Sequence, residues 1–502
     1  MAAVTVLLRT VSVFFGAFVA GKLGAAGMGL YSLVLSVYGL FSTFASSGVN
    51  FTVSRMTADA LGHRSGAEVY AVLRRCLAYA AAFGISAALL MYVSSGAIGC
   101  YLLDDPRTVP ALRALAPGLL PMAVNTAFHG YFQAVRRSPK SAAVMLCEQG
   151  VRIAVTAAAL SVLLPYGIGP ACCAVGTGVA VSELAAFLLG VVLCRRDLSR
   201  HIEKSGKVPY RLTEKMFSIS LPISLSAYLR SGLLTLEHML IPKGLKKFGS
   251  GSEEALATYG ILSGMAFPIV LYPLTILQSI TSLLLPEIAE AKAAGDEKLI
   301  RRTALRVFRI TLLFSLGTAG VMFSFSDALG KVLYSSPDAG RFIRMISPLI
   351  PVMYLDSAVD AMLKGLGEHI YTMRVNIVDS FLSVILVWSL LSVKGVEGYI
   401  FTVYLTEIIN ASLSIGRLII KAGIRPDLLR WFVIPGGCVC ATVFASRSVF
   451  CAPALLVFAS THPVLLLTVG CTFFAALYFL LLRLFGSLRR GEIKAVCVKL
   501  TA

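Results

Sequence analysis

The chain has 502 residues, of which 57% are hydrophobic and only 14% charged, with 45 Lys and Arg against 26 Asp and Glu. Soluble proteins give about 25% of their residues to charge, so this composition, with its mean hydropathy of +0.81, excludes a water-soluble globule, a disordered chain and a collagen-like repeat. The formal charge of +19 raises nucleic acid as a partner, and the positions of the charges assign it to membrane topology instead.

A helix needs roughly 20 mostly apolar residues to cross the hydrocarbon core. In chain order such runs fall near 3 to 21, 28 to 50, 76 to 96, 112 to 135, 142 to 164, 170 to 194 and 216 to 241. They continue near 255 to 286, 307 to 330, 345 to 366, 374 to 393, 398 to 420, 431 to 446 and 463 to 484. The pattern predicts an all-α integral membrane protein of about fourteen transmembrane helices. The first run follows Met1 without a small-residue cleavage site, so it is read as a retained helix and not a signal peptide.

With both termini placed inside, the loops on the cytoplasmic side and the tail hold 28 Lys and Arg, against 11 on the other side. That bias is the expected signature of an inward N-terminus. The longest loops, 195 to 215 and 287 to 306, are basic and are expected to lie along the cytoplasmic interface as amphipathic segments. The eleven cysteines are mostly inside apolar runs, without zinc or thioredoxin spacing, and read as small packing residues. No cofactor is expected.

An internal repeat organises the spans. Ala116-Pro117 in the fourth recurs as Ser347-Pro348 in the tenth, Gly29-Leu30-Tyr31-Ser32 resembles Ala257-Thr258-Tyr259-Gly260, and Gly167-Ile168 matches Gly395-Val396. The offsets of 228 to 231 residues predict a six-helix lobe over 1–200, a second over 210–422, two additional helices over 427–486 and a cytoplasmic tail over 487–502. Duplicated bundles of this kind enclose a cleft and work by alternating access.

Ionisable residues inside spans are expensive and mark function or pairing. Arg9, Arg55 and Arg230 fall in the first two helices of a lobe, where guanidinium, always charged, can grip phosphate bidentately. They are expected to bind an anionic substrate, although Arg9 and Arg55 are near enough to span ends to snorkel. Asp356, Asp360 and Lys364 stand at i, i+4 and i+8 on one face of span ten, and Glu148 precedes Arg152 by one turn. With Glu237 and Asp379 these are candidates for ion coupling or for polar lining, and equally for a salt-bridge seam. His238 is a candidate proton relay or a packing residue. No Walker A loop, HExxH or GxSxG motif is present, so an ATP-driven pump or a hydrolase is not expected.

The stretch Leu23-Gly24-Ala25-Ala26-Gly27-Met28-Gly29-Leu30-Tyr31, with Ser47-Gly48-Val49 and Ser54-Arg55, resembles the oligosaccharide-flippase branch of the multidrug/oligosaccharidyl-lipid/polysaccharide exporter superfamily, and within it the stage V sporulation protein B group. The blocks Tyr259-Gly260-Ile261-Leu262-Ser263-Gly264 and Met353-Tyr354-Leu355-Asp356 with Leu363-Lys364-Gly365 extend the similarity over about residues 1 to 485. The resemblance implies a monomeric flippase of the bacterial cytoplasmic membrane, not an enzyme. Its expected partners are the lipid bilayer, a lipid-linked oligosaccharide such as the undecaprenyl-linked peptidoglycan precursor, and H+ or Na+ for coupling. Arg9 and Arg55 fit the family's cleft arginines; a second arginine in helix one is replaced here by Phe15 and Gly16. A cation-coupled multidrug exporter of the same superfamily is the alternative.

Overall fold

The computed structural model describes residues 2–202, 211–424, 427, 429–450 and 463–486. Among them there is no strand. The first half comprises α1 (Ala2–Ser46), α2 (Val49–Gly62), α3 (Gly66–Ala97), α4 (Thr108–Leu115), α5 (Leu119–Ala134), α6 (Ser138–Leu163), α7 (Ile168–His201), α8 (Leu212–Phe248) and α9 (Ser252–Tyr259). The remainder is α10 (Phe267–Leu271), α11 (Leu274–Ala293), α12 (Glu297–Ser324), α13 (Ser326–Tyr334), α14 (Pro337–Ile346), α15 (Ile350–Gly365), α16 (His369–Ala422), α17 (Ile434–Phe450) and α18 (Pro463–Leu484). Eleven helical stretches among the described residues are long and apolar enough to cross a membrane.

Two of those stretches contain a break where the sequence places the end of one span and the start of the next. Gly24 interrupts α1 at φ 70°, ψ 179°, and Gly395 interrupts α16 at φ 57°, ψ −138°. A Cβ makes such conformations costly, so glycine is the residue that lets the chain turn back without leaving the helix for long. The proline anchors of the repeat behave alike: Ala116–Gly118 and Ser347–Leu349 each form one 3₁₀ turn between two α-helices.

Two expectations are corrected. The basic stretch 287 to 306 is not a separate interfacial segment. α11 ends at Ala293, and Asp296 caps α12 by accepting from the Leu299 N–H at 3.0 Å, so most of those cations sit on the first turns of a crossing helix. The run 255 to 286 is likewise not one helix, since α10 stops at Leu271 and α11 starts at Leu274, on either side of Tyr272-Pro273. Residues 203–210 of the other basic loop and the tail 487–502 lie outside the described residues.

The chain packs as two units, one of residues 1–260 with Ser380–Val396, the other of Ile261–Asp379 with the chain from Glu397 onward. In the first, α8 runs along α1 and α2 through polar contacts at successive depths. Thr235 Oγ1 donates to the Ser36 carbonyl at 3.1 Å, Tyr228 Oη to Phe44 O at 3.2 Å and Ser224 Oγ to Ser47 O at 2.9 Å. Lys215 on α8 pairs with Asp59 on α2 at 2.8 Å. α9 crosses α1 so closely that a methyl at Gly29 would stand 2.0 Å from Leu256 O, and one at Gly260 would stand 2.2 Å from Ala25 O. The contact is reciprocal: each glycine meets the carbonyl of the residue four before the other. Small residues permit this backbone approach inside membranes.

In the second unit, Ile288, Val307, Phe308, Val359, Leu363 and Leu418 belong to one core, and Phe325, Cys438, Phe474 and Tyr478 to another that seats α17 and α18. One side-chain contact recurs at the offset of the expected repeat. Arg113 Nε donates to Ser95 Oγ at 3.1 Å in the first unit, and 231 positions on Arg344 Nε donates to Ser326 Oγ at 3.1 Å in the second.

Candidate functional site

Arg9 stands on α1 at about 200° from Leu7 at the helical 100° per residue. Leu7, Phe14 and Phe18 form the exposed apolar stripe of that helix, at 53%, 63% and 42% accessibility. Arg9 is also exposed, on the opposite side. Its own face continues through Ser12 and Gly16 and then closes at buried Ala20 and Leu23. A guanidinium there points away from the stripe suited to acyl chains. Arg55 is exposed on α2 and Arg230 on α8, the latter roughly 100° or more from exposed Leu221, Leu225, Leu229 and Leu236 but within about 40° of exposed Ile223 and Leu234. None of the three arginines makes an ion pair among the described residues.

The structure places all three in the first unit but not at one depth. The contacts of α8 put Ser224 level with Ser47 and Lys215 level with Asp59, so Arg55 lies about 10 Å or more from Arg230 along the helix axis. Glu237 shares the Arg230 face of α8, two turns on, and is half-buried. His238 Nδ1 is 3.1 Å from Tyr259 Oη with the two rings edge to face, which is a packing hydrogen bond between α8 and α9.

A second group in the same unit gathers α5, α6 and α7. The Arg152 guanidinium pairs with Glu148 one turn before it, and its Nη2 is 3.7 Å from Glu183 on α7. Its Nε donates to Ser182 Oγ at 3.4 Å, and Asn125 Nδ2 on α5 donates to Glu183 O at 3.2 Å. Two carboxylates thus share one cation.

The acidic residues of the second unit are arranged differently. Asp356 and Asp360 follow one another on α15; Asn410 Nδ2 donates to Asp356 at 3.2 Å, and Asn376 Nδ2 to Asp360 at 3.0 Å. Glu407 lies near enough to Asp356, Asp379 and Asp360 to feel all three charges. Lys364, the expected counter-charge, is half exposed and only 3.9 Å from Asp360. The acidic face is therefore joined by amides more than by cations. Asn376 and Asn410 were invisible to a search for charge; their signal is the i, i+3 spacing to Asp379 and from Glu407. No group of three or more His, Cys, Asp or Glu among the described residues is placed to hold a metal ion.

Outside the spans, ion pairs tie helix ends. Asp197, almost fully buried, accepts from Tyr131 Oη at 2.8 Å and pairs with Arg137 at 2.9 Å and with Lys140. Glu368 pairs with Arg417 at 2.7 Å and Lys421 at 2.8 Å. The Lys421 ammonium and then the Arg417 guanidinium hold the Glu368 carboxyl below the usual carboxylate range, and Lys246 does the same for Asp104 from 3.1 Å.

Comparison with known proteins places this geometry. Residues 2–292 match the family described as polysaccharide biosynthesis protein, and residues 247–389 match MatE. "Stage V sporulation protein B" of Bacillus subtilis (strain 168) is 25% identical over 354 residues, covering 70% of this chain and 68% of that one. Among solved structures, "Lipid II flippase MurJ, inward closed conformation" superposes with a TM-score of 0.70 at 11% identity, covering 95% of this chain and 98% of that chain. An inward-facing multidrug resistance MATE family transporter of the MOP superfamily gives 0.68 at 14% identity, covering 84% and 98%. At these identities the two structures speak for the fold.

Proposed function

Since the chain belongs to the polysaccharide biosynthesis protein family, we propose that it is a flippase for a lipid-linked oligosaccharide, of the undecaprenyl-pyrophosphate kind, serving cell-wall or spore-cortex synthesis from the cytoplasmic membrane. The anionic headgroup is taken up at the cytoplasmic end of α1, the polyprenyl tail stays in lipid, and alternating access of the two six-helix lobes releases the head outside. No covalent bond is made or broken. The observation that carries this reading is Arg9: an exposed guanidinium one helix face away from the lipid stripe of α1, in a neighbourhood of Ser12 and Gly16 that leaves room for a ligand. Arg55, about 10 Å or more from Arg230 in depth, makes the pair successive contacts for a head moving along α8 rather than one binding cluster. The match to the polysaccharide biosynthesis protein family over residues 2–292 supports the substrate class.

Coupling falls to the acidic face of α15 and α16. Asp356, Asp360, Asp379 and Glu407, tied by the amides of Asn376 and Asn410, gather acidic groups that can take up a proton, and its uptake would relieve their mutual repulsion. Glu148 and Glu183 already have a permanent cation in Arg152, so the exchangeable one belongs to the second unit. That acidic face, with the MatE match over residues 247–389, also favours the second reading, a cation-coupled multidrug exporter. Reconstituted protein separates the two. Arg9→Glu and Arg55→Glu are expected to abolish lipid-linked oligosaccharide translocation; variants that keep it, or that lose cationic-drug efflux instead, overturn the flippase reading.

A further inference from the structure

The cations on the first turns of α12 are not absorbed by the transport reading. α12 is amphipathic in an unusual sense. Ile300, Thr303, Ala304, Val307 and Phe308 form its buried stripe, and Lys298, Arg301, Arg302 and Arg306 are all exposed on the opposite side. At 100° per residue Lys298, Arg302 and Arg306 fall within about 80° of one another, with Arg301 about 60° to the side. The ridge is roughly 12 Å long.

Its depth follows from two independent observations. A 28-residue helix is about 42 Å long and the hydrocarbon core about 30 Å, which leaves roughly the first eight residues, to about Ala304, in the headgroup layer. Phe308 packs against Trp431 with ring centroids 6.2 Å apart, and tryptophan marks the level where hydrocarbon meets headgroups.

The four side chains make no ion pair among the described residues. Some other cations expected on this side are taken up internally, Lys215 by Asp59, Arg137 and Lys140 by Asp197, and Lys421 by Glu368, while others such as Arg64 and Arg374 are exposed singly and not in a row of four on one helix. The carboxylates nearest in sequence do not neutralise the ridge. Asp296 caps the helix, Glu287 accepts from Thr303 Oγ1 at 3.3 Å, and Glu290 and Glu297 are exposed without an ion pair to it.

We propose that this ridge of α12 is a docking surface for the anionic phospholipid headgroups of the cytoplasmic leaflet. A topology signal needs positive charge only somewhere on that side. Lys298, Arg301 and Arg302 in the headgroup layer, with Arg306 just below it and long enough to reach up into it, additionally match a row of phosphodiesters, and guanidinium grips phosphate with paired hydrogen bonds. The lipid so held anchors the start of α12, against which α11 and α15 pack in the core built on Ile288, Val307 and Val359.

The test uses the full chain in nanodiscs of phosphatidylcholine alone and of phosphatidylcholine with one-third phosphatidylglycerol. The ridge variant Lys298→Gln, Arg301→Gln, Arg302→Gln, Arg306→Gln is compared with the unmodified protein and with Lys22→Gln, Lys247→Gln, Lys331→Gln, Lys394→Gln, which removes equal charge from the opposite side. Phosphatidylglycerol is expected to raise the melting temperature of the unmodified protein and of the control, and the ridge variant to lose more than half of that rise. Phosphatidylglycerol retained in native mass spectrometry should fall about fivefold or more in the ridge variant alone. An equal rise in the ridge variant, or an equal loss in the control, overturns the proposal. Should the fourfold variant not fold in phosphatidylcholine, Arg302→Gln, Arg306→Gln carries the same comparison.

Discussion

At the scale of single residues the decisive contrast is between cations that are spoken for and cations that are not. Arg152 holds Glu148 and Glu183 in a half-buried triad, so removing it strands two carboxylates away from bulk water. Arg152→Ala is expected to cost about 2 to 3 kcal/mol and to lower the melting temperature of the purified protein. Adding Glu148→Gln and Glu183→Gln should restore most of it, because the uncompensated charge leaves with them. Glu368 gives the pH dependence. Its carboxyl is depressed by Lys421 and Arg417, so its pairing stabilises the fold above the ordinary carboxylate range and is lost as pH falls through the lowered value. A Glu368→Gln variant should melt below the unmodified protein at neutral pH and together with it in strong acid; a gap that persists in acid would show that the pairs are not responsible.

Among helices, the reciprocal contact of Gly29 and Gly260 brings two backbones together in the first unit, with a carbonyl 2.0 and 2.2 Å from where each Cβ would stand. A side chain at Gly29 meets backbone, which cannot swing aside, so Gly29→Ala must separate α1 from α9. It should destabilise by about 1 to 3 kcal/mol and reduce transport, whereas Gly39→Ala on the same helix, with nothing within 4 Å, should be neutral or slightly stabilising. Thermal melts of the two variants side by side decide this. The Asp104–Lys246 pair ties the end of α8 to the chain beyond α3. A thiol-reactive cross-linker joining Asp104→Cys to Lys246→Cys is expected to stop translocation; continued transport in the cross-linked protein would mean that this contact need not open.

Much of this element-level order was legible in the chain. Hydropathy gave the all-helical membrane class, with eleven crossing-length stretches among the described residues against about fourteen expected, and Gly24, Gly395, Pro117 and Pro348 stand at breaks and turns through their own backbone chemistry. The stretch 287 to 306 was misread because basic, amphipathic composition is shared by a helix lying on a membrane and by the first turns of one crossing it. Only the cap at Asp296 distinguishes them. The candidate site was legible in part. Arg9, Arg55 and Arg230 stood out as charges in apolar runs, but their separation in depth depends on how α8 is registered against α1 and α2, which no local pattern encodes. Asn376 and Asn410 escaped notice because an amide is cheap enough to sit in a span without remark.

For the whole molecule, the chain is a multi-pass membrane protein whose fold is shared by a lipid II flippase and by multidrug exporters. Fold therefore does not choose the cargo, and the chemistry of the site must. In the proposed reading Arg9, Arg55 and Arg230, which make no ion pair among the described residues, receive the anionic head, and the acidic face of α15 and α16 takes up a small cation. The most direct measurement is headgroup translocation in proteoliposomes containing the unmodified protein, offered lipid II, other polyprenyl-linked glycans and a cationic dye in parallel. Movement of a polyprenyl-pyrophosphate glycan across the bilayer, without dye efflux, is the predicted result; efflux of the dye with every glycolipid left in its original leaflet would contradict the account.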